Sequence, residues 1–229
     1  MIKGKRILGI IPARGGSKGI PRKNIQPLRK KPLIAWTIQE AKKSKYLDRV
    51  VLSSEDDQIM KIAQSLGCEV PFKRPRALSS DRASGVSPVL HAVKTLPGYD
   101  YVVLLQPTSP LRSYRDIDAA IELCVSKKAP ACVSLSEGKS PAWHYSVTKE
   151  TRLKPLLKTA GEKRRQDLPV FYCLNGAIFM AEVPWLKKHK TFLSPKTVGY
   201  VMPRKRSLDI DTVWDLRLAD VILEEGLHL

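Results

Sequence analysis

Residues 11–24 read Ile-Pro-Ala-Arg-Gly-Gly-Ser-Lys-Gly-Ile-Pro-Arg-Lys-Asn, three glycines interspersed with Arg14, Lys18, Arg22 and Lys23. Glycine lets backbone amides approach phosphate oxygens with no Cβ between them, and the cations add charged donors. The chemistry this run suits is the holding of a polyphosphate. Two other phosphate-binding spacings are absent: Lys18 has no Ser or Thr after it, as GxxxxGK[ST] demands, and Gly15 and Gly16 are adjacent, which breaks GxGxxG. A solvated basic turn explains the run less well, because the four cations follow directly on a buried apolar strand.

The second candidate lies near the other end of the chain, where Asp209 and Asp211 flank Ile210. On an extended backbone, alternate side chains share one side, so both carboxylates could hold one hard cation. Magnesium prefers oxygen ligands, keeps waters, and bridges one or two carboxylates to substrate phosphates. In isolation Asp211 suits equally an N-cap for the last helix. Paired with a polyphosphate loop, the metal role is the better reading, and the two are compatible.

Groups so far apart in sequence need a scaffold that joins them. Short β-branched runs alternate with longer helical patterns, which implies a mainly parallel α/β sheet. Strands are expected at 6–12, 49–53, 101–106, 131–135, 177–181 and 198–202, and helices at 33–43, 56–66, 89–96, 116–126 and 212–225. Ile59, Ile62, Ala63 and Leu66 repeat at helical spacing, with Gly67 placed to end that helix. In the last helix Val213, Leu216, Ala219 and Ile222 are expected inward. The basic loop follows the first strand, and loops at the carboxyl ends of such strands line the ligand crevice. Between 136 and 168 the alternation lapses into polar, basic sequence, read as an arm projecting from a single domain spanning 1–229.

Composition closes off several classes. The chain has 229 residues, 43% hydrophobic and 27% charged, which is globular rather than disordered and long enough to need no disulfide or metal staple. No apolar run approaches the roughly 20 residues of a membrane span, and the apolar core after Lys3, Lys5 and Arg6 is too short for a signal peptide. Cys68, Cys124, Cys132 and Cys173 are scattered with no CxxC pair, which fits reduced, buried thiols and a cytoplasmic setting. Four histidines lack metal-site spacing, and the four tryptophans are expected to pack, with Trp143 a candidate interface anchor. The net charge of +18 suits anionic partners of any kind.

Read together, these segments resemble the acylneuraminate cytidylyltransferases, the CMP-sialic acid synthetases. The resemblance rests on the 11–19 run with Lys23-Asn24, on Arg74-Pro75, and on Leu-Gln-Pro-Thr-Ser-Pro-Leu-Arg at 105–112. Arg165-Gln166, Asn175-Gly176-Ala177 and Asp209-Ile210-Asp211 complete it, in order over essentially the whole chain. It implies a three-layer α/β/α, Rossmann-like nucleotide-diphospho-sugar transferase fold with a dimerisation arm. It also implies transfer of CMP from CTP to the anomeric hydroxyl of a nine-carbon 2-keto-3-deoxy sugar acid, with release of pyrophosphate. By that similarity Arg14 and Lys23 would hold the triphosphate, with Gly15, Gly16, Ser17 and Lys18 in the same loop. Asn24, Arg74, Ala83 and Gly85 would recognise the cytidine. Gln106 and Arg165 would face the sugar, with Asn175 and Phe179 nearby, and Asp209 and Asp211 would hold magnesium. Arg14, Lys23 and Asp211 would carry the catalysis, and a homodimer would form through the arm.

The chain departs from that pattern at three places. Ser53-Ser54-Glu55 replaces an expected Ser-Thr-Asp, while Cys173, Ala142 and Trp143 stand where cations are common. Fewer cations near an acidic sugar point to a related acid such as legionaminic or pseudaminic acid. The competing readings are a cytidylyltransferase for the eight-carbon acid Kdo, disfavoured by Lys23-Asn24 and Asn175-Gly176-Ala177, and a nucleic-acid-binding protein, for which no recognition motif is present.

Overall fold

The computed structural model describes residues 1–81, 83–157 and 164–227; the side chain of Arg165 and His228 lie outside the described part. Ile7–Pro12 (β1) is apolar at nearly every position and buried, as a strand covered on both faces must be. The basic loop leads through a two-residue ribbon, Pro27–Leu28 (β2) with Lys31–Pro32 (β3), into helix Leu33–Lys43 (α1). Next come Arg49–Ser53 (β4), Asp57–Ser65 (α2), Ser87–Thr95 (α3), Tyr101–Leu105 (β5) and Tyr114–Ser126 (α4). Asp56 caps α2 by accepting from the Ile59 N–H, and Gly67 takes the left-handed conformation that ends it, at φ +70°.

The second half runs Ala131–Gly138 (β6), Tyr145–Val147 (β7), Leu153–Pro155 (β8), Phe171–Glu182 (β9), Val183–His189 (α5), Val198–Val201 (β10) and Val213–Glu224 (α6). One six-stranded sheet has the order β10-β6-β9-β5-β1-β4. β1 is parallel to both β4 and β5, β10 is parallel to β6, and β9 alone runs antiparallel, between β5 and β6. The apolar faces of α1, α2 and α4 pack on one side of the sheet and those of α3 and α5 on the other. This is the expected three-layer arrangement.

Several expectations need correction. β9 begins six residues earlier than read, at Phe171 rather than 177, because its first part pairs with the outer end of β6 beyond a register shift near Val133 and Leu135. Within 136–168, residues 136–138 continue β6 and the β7–β8 hairpin forms a small sheet of its own. Thr212, and not Asp211, caps α6, forming a reciprocal capping box with Asp215. Val213 faces solvent, while Leu216, Ala219 and Leu223 pack against Ile20, Leu28 and Leu33 and so fasten α6 over the basic loop. Cys68, Cys124 and Cys132 are buried, and burial pushes each thiol up to about 12, but Cys173, in the outer part of β9, is exposed. Trp214 is 77% exposed rather than packed.

Candidate active site

β1 lies between β4 and β5 at the point where the connections switch sides, and the carboxyl ends of these three strands open into a cleft of about 420 Å³. Arg14, Gly16, Ser17, Lys23 and Asn24 line it from the loop after β1, and Gln106, Pro107 and Thr108 from the end of β5. Arg74, Ala83 and Gly85 form the opposite wall, and Asp209 and Asp211 enter from the segment before α6. The two candidate groups read from opposite ends of the sequence therefore meet.

The loop is held in place by its own polar atoms. Asn24 Nδ2 donates to the Arg14 carbonyl at 2.9 Å, folding the loop back on itself. Lys23 Nζ donates to the Ile210 carbonyl at 2.6 Å and lies 3.0 Å from Asp211 Oδ1; its side chain is 15% exposed. A Cβ on Gly19 would collide with the Asp211 carbonyl, so glycine is required for loop and acidic segment to approach. At the mouth, Arg14 Nη1 reaches Asp81 Oδ1 at 2.6 Å, and Lys18, more exposed, reaches the other oxygen at 3.0 Å.

Glu55, which follows the end of β4, was not singled out as a site residue by the sequence reading. Its carboxylate accepts from the Gly15 N–H at 2.8 Å, from buried Arg74 Nη2 at 2.7 Å and from Ser79 Oγ at 2.7 Å. Burial alone would raise its pKa, but Arg74, the Gly15 amide and Ser79 together hold it below the usual carboxylate value. The phosphate loop and the opposite wall thus rest on one anion. The only trace of it in the sequence is an acid at the end of a strand next to the loop, where the family pattern has an aspartate.

The sugar-side candidates separate. Gln106 lines the cleft, and Gly176, at φ +73°, comes so near that a Cβ there would sit 3.1 Å from Gln106 Oε1. Asn175 faces inward, its Oδ1 accepting from Ser134 Oγ and the Ala177 N–H while Nδ2 donates to Ser207 Oγ. It braces β6 and β9 against the segment leading to Asp209. Phe179 packs beside Phe192, ring centres 5.5 Å apart, and does not line the cleft. The side chain of Arg165 falls outside the described residues.

Asp209 is the buried member of the acidic pair. Burial, with Asp211 and Asp215 as further negative neighbours, raises its pKa against the opposing help of Thr108 and Lys23. Its Oδ1 is buried with no hydrogen-bond partner among the described residues. A buried carboxylate oxygen left free, beside a second carboxylate and a phosphate-suited loop, fits a hard divalent cation. Among the described residues no third acid, cysteine or histidine joins them, so such an ion would complete its shell from phosphates and water.

The cytidylyltransferase family profile matches residues 8–207. The chain belongs to the cytidylyltransferase family. It is therefore a nucleotidyltransferase. Among relatives, a CMP-N,N'-diacetyllegionaminic acid synthase of Legionella pneumophila is 37% identical, over 96% of this chain and 97% of its own. A pseudaminic acid cytidylyltransferase of Campylobacter jejuni is 34% identical, over 94% and 95%. An N-acylneuraminate cytidylyltransferase of Escherichia coli is 33% identical over 96% of this chain but 52% of its own length. A CMP:2-keto-3-deoxy-manno-octonic acid synthetase solved with CTP superposes at a TM-score of 0.73, over 96% of this chain and 99% of that one. At 15% identity it shares the fold.

Arg14 and Lys23 are cationic donors of the kind that hold anions, and the two carboxylates are of the kind that hold a hard cation.

Proposed function

We propose that this cytidylyltransferase transfers CMP from CTP to the anomeric hydroxyl of a nine-carbon 2-keto-3-deoxy sugar acid. The anomeric oxygen bonds to the α-phosphorus as the bond from that phosphorus to the bridging oxygen breaks, and the electron pair leaves with pyrophosphate. The observation that carries this reading is the meeting of Arg14, Lys23, Asp209 and Asp211 in one cleft at the ends of β1 and β5. Lys23 is held by Asp211 and the Ile210 carbonyl where it would meet the leaving phosphates, and Arg14 lines the same cleft at its mouth. Gln106, ahead of the acidic pair, offers an amide to the sugar. Asp209 and Asp211 would hold magnesium, which neutralises phosphate charge when bound. Phosphoryl substitution of this kind needs positioning and charge stabilisation rather than a covalent nucleophile. Among the described residues no histidine lines the cleft, and the base is assigned to no side chain.

The sugar is read as an acid of the legionaminic or pseudaminic type. Relatives named for three different acids lie within 33–37% identity, so likeness alone does not choose among them. The choice rests on Cys173 in the outer part of β9 and on Ala142 and Trp143 in the arm, which bring no cation to an acidic substrate.

We further propose a homodimer built on the arm of a single catalytic unit. Val147, Leu153 and Leu156 hold apolar side chains out in solvent there, as an interface does before it closes. Among the described residues no helix is long and apolar enough to cross a membrane.

The deciding assay is magnesium-dependent pyrophosphate release from CTP with N-acetylneuraminic, legionaminic, pseudaminic and Kdo acids in parallel, with Asp211→Ala as control. Release with legionaminic or pseudaminic acid, absent in the control, is expected. Release with Kdo alone would reject the nine-carbon reading.

A further inference from the structure

Two cations of the basic loop already share an anion. Arg14 Nη1 and Lys18 Nζ meet the two oxygens of Asp81 separately, at 2.6 and 3.0 Å, so one carboxylate is spanned from both sides. Asp81 lies on the wall opposite the loop, two residues beyond Ser79, which Glu55 holds, and two before Ala83 at the cleft. These ion pairs thus join the two walls across the mouth through which a nucleotide would enter.

The position and chemistry of Asp81 match those of a phosphate oxygen. It is a small oxyanion with both oxygens engaged, and the groups engaging it are the ones the loop offers to a polyphosphate. It is also half exposed, and exposed ion pairs contribute little because water and salt screen them. A triphosphate brings several negative oxygens to the same cations, so it outcompetes one screened carboxylate. A monophosphate or inorganic phosphate, carrying at most two charges, holds a far smaller advantage over Asp81. The carboxylate therefore adds one common cost to the binding of every anion that takes Arg14 and Lys18.

We propose that Asp81 is an internal stand-in for the substrate's polyphosphate, exchanged for it on binding, and that it lowers the affinity of the cleft for anions that use Arg14 and Lys18. This rests on the nucleotide reading of the cleft given above. It makes Asp81 a residue that opposes binding, contrary to what its place in the site first suggests. If Asp81 instead orients Arg14 for the bound nucleotide, its removal has the opposite sign.

The test uses the full-length protein carrying Asp81→Asn, with Asp81→Glu and Arg14→Ala alongside. Binding of CTP, CMP and inorganic phosphate is measured calorimetrically, and KM and kcat for CTP by pyrophosphate release. Asp81→Asn is expected to tighten CTP about threefold to tenfold, the range a lost exposed competitor allows, and CMP and phosphate by no larger factor. Its KM for CTP should fall while the KM for the sugar stays in place. Asp81→Glu keeps the charge and should bind as the parent does. Unchanged or weaker CTP binding by Asp81→Asn, with an unchanged melting temperature, would overturn the proposal. If Arg14→Ala binds CTP as tightly as the parent, the nucleotide reading of the cleft itself fails, and the exchange falls with it.

Discussion

Glu55 illustrates how much one carboxylate can organise. It receives the Gly15 amide from the phosphate loop, the guanidinium of Arg74 and the hydroxyl of Ser79 from the opposite wall. Replacing it with glutamine keeps the shape but removes the charge and turns one acceptor into a donor, so Arg74, which is buried, loses its ion-pair partner. Hydrogen bonds to charged groups contribute about 1.5–3 kcal/mol each, and a buried group left unpaired costs a similar amount. Glu55→Gln is therefore expected to raise the KM for CTP about tenfold with a smaller effect on kcat, and to lower stability by about 2 kcal/mol in urea unfolding. Its pKa is depressed in the folded state, so its contribution is present above the unfolded value of about 4.3 and fades as pH falls through the folded one. Lys23 predicts the reverse split. Lys23→Met should cut kcat about 100-fold or more with little change in unfolding, because removal of one charge-stabilising donor has about that effect.

At the scale of elements, the site depends on what holds the segment before α6 in place. Asp116 is fully buried at the start of α4, where it completes the capping box with Ser113 and accepts both Nε and Nη2 of Arg206 at 2.9 Å and the hydroxyl of Tyr200 at 3.0 Å. Burial would raise its pKa, but Arg206 and Ser113 more than offset this and keep it ionised. α4, β10 and the turn leading to Asp209 thus converge on one charge. Arg206→Met should destabilise by about 3–5 kcal/mol, because removing one partner strands a buried carboxylate. A urea midpoint near the parent value would show that Ser113 and Tyr200 suffice. Arg112 is a related device: 1% exposed, it donates to the Gln106 and Ala177 carbonyls and to Thr37, which fixes the turn after β5. β1, β4, β5 and α1 were legible in the sequence because a strand buried on both faces, or a helix with one apolar stripe, carries its environment in its residue types. The outer part of β9 was not, since Tyr172, Cys173 and Leu174 are exposed and read as loop. Neither was α5, too short to show a period. Arg14, Lys23, Asp209 and Asp211 were legible from type and spacing. Glu55 and Asp81 were not, because their partners come from loops brought together only by the sheet.

For the whole molecule, the charge of +18 becomes a statement about association. Both proposed substrates are anions, and the mouth of the cleft is lined by cations, so long-range attraction should speed encounter and be screened by salt. Raising ionic strength from about 0.05 to 0.5 M is expected to lower kcat/KM for CTP several-fold while leaving kcat almost unchanged. A flat profile would assign the surplus charge to another partner. The remaining question is what covers the apolar surface of the arm. Leu153 is 68% exposed, and Tyr145, Val147, Leu156, Val170, Tyr172 and Leu174 also reach solvent along the β7–β8 hairpin and the outer part of β9. So many apolar side chains on one projection exceed what isolated surface residues explain and suit a self-complementary interface between two copies. A second stripe exists on α6, where Trp214, Leu218 and Val221 are spaced to share one face. The two surfaces predict different outcomes. Leu153→Glu with Leu156→Glu should yield a monomer in sedimentation equilibrium with its thermal transition nearly unchanged, since these side chains contribute nothing to the core. Trp214→Arg should leave the dimer intact. If the arm variant remains dimeric and the α6 variant dissociates, the partner sits on α6, beside the acidic pair rather than on the arm.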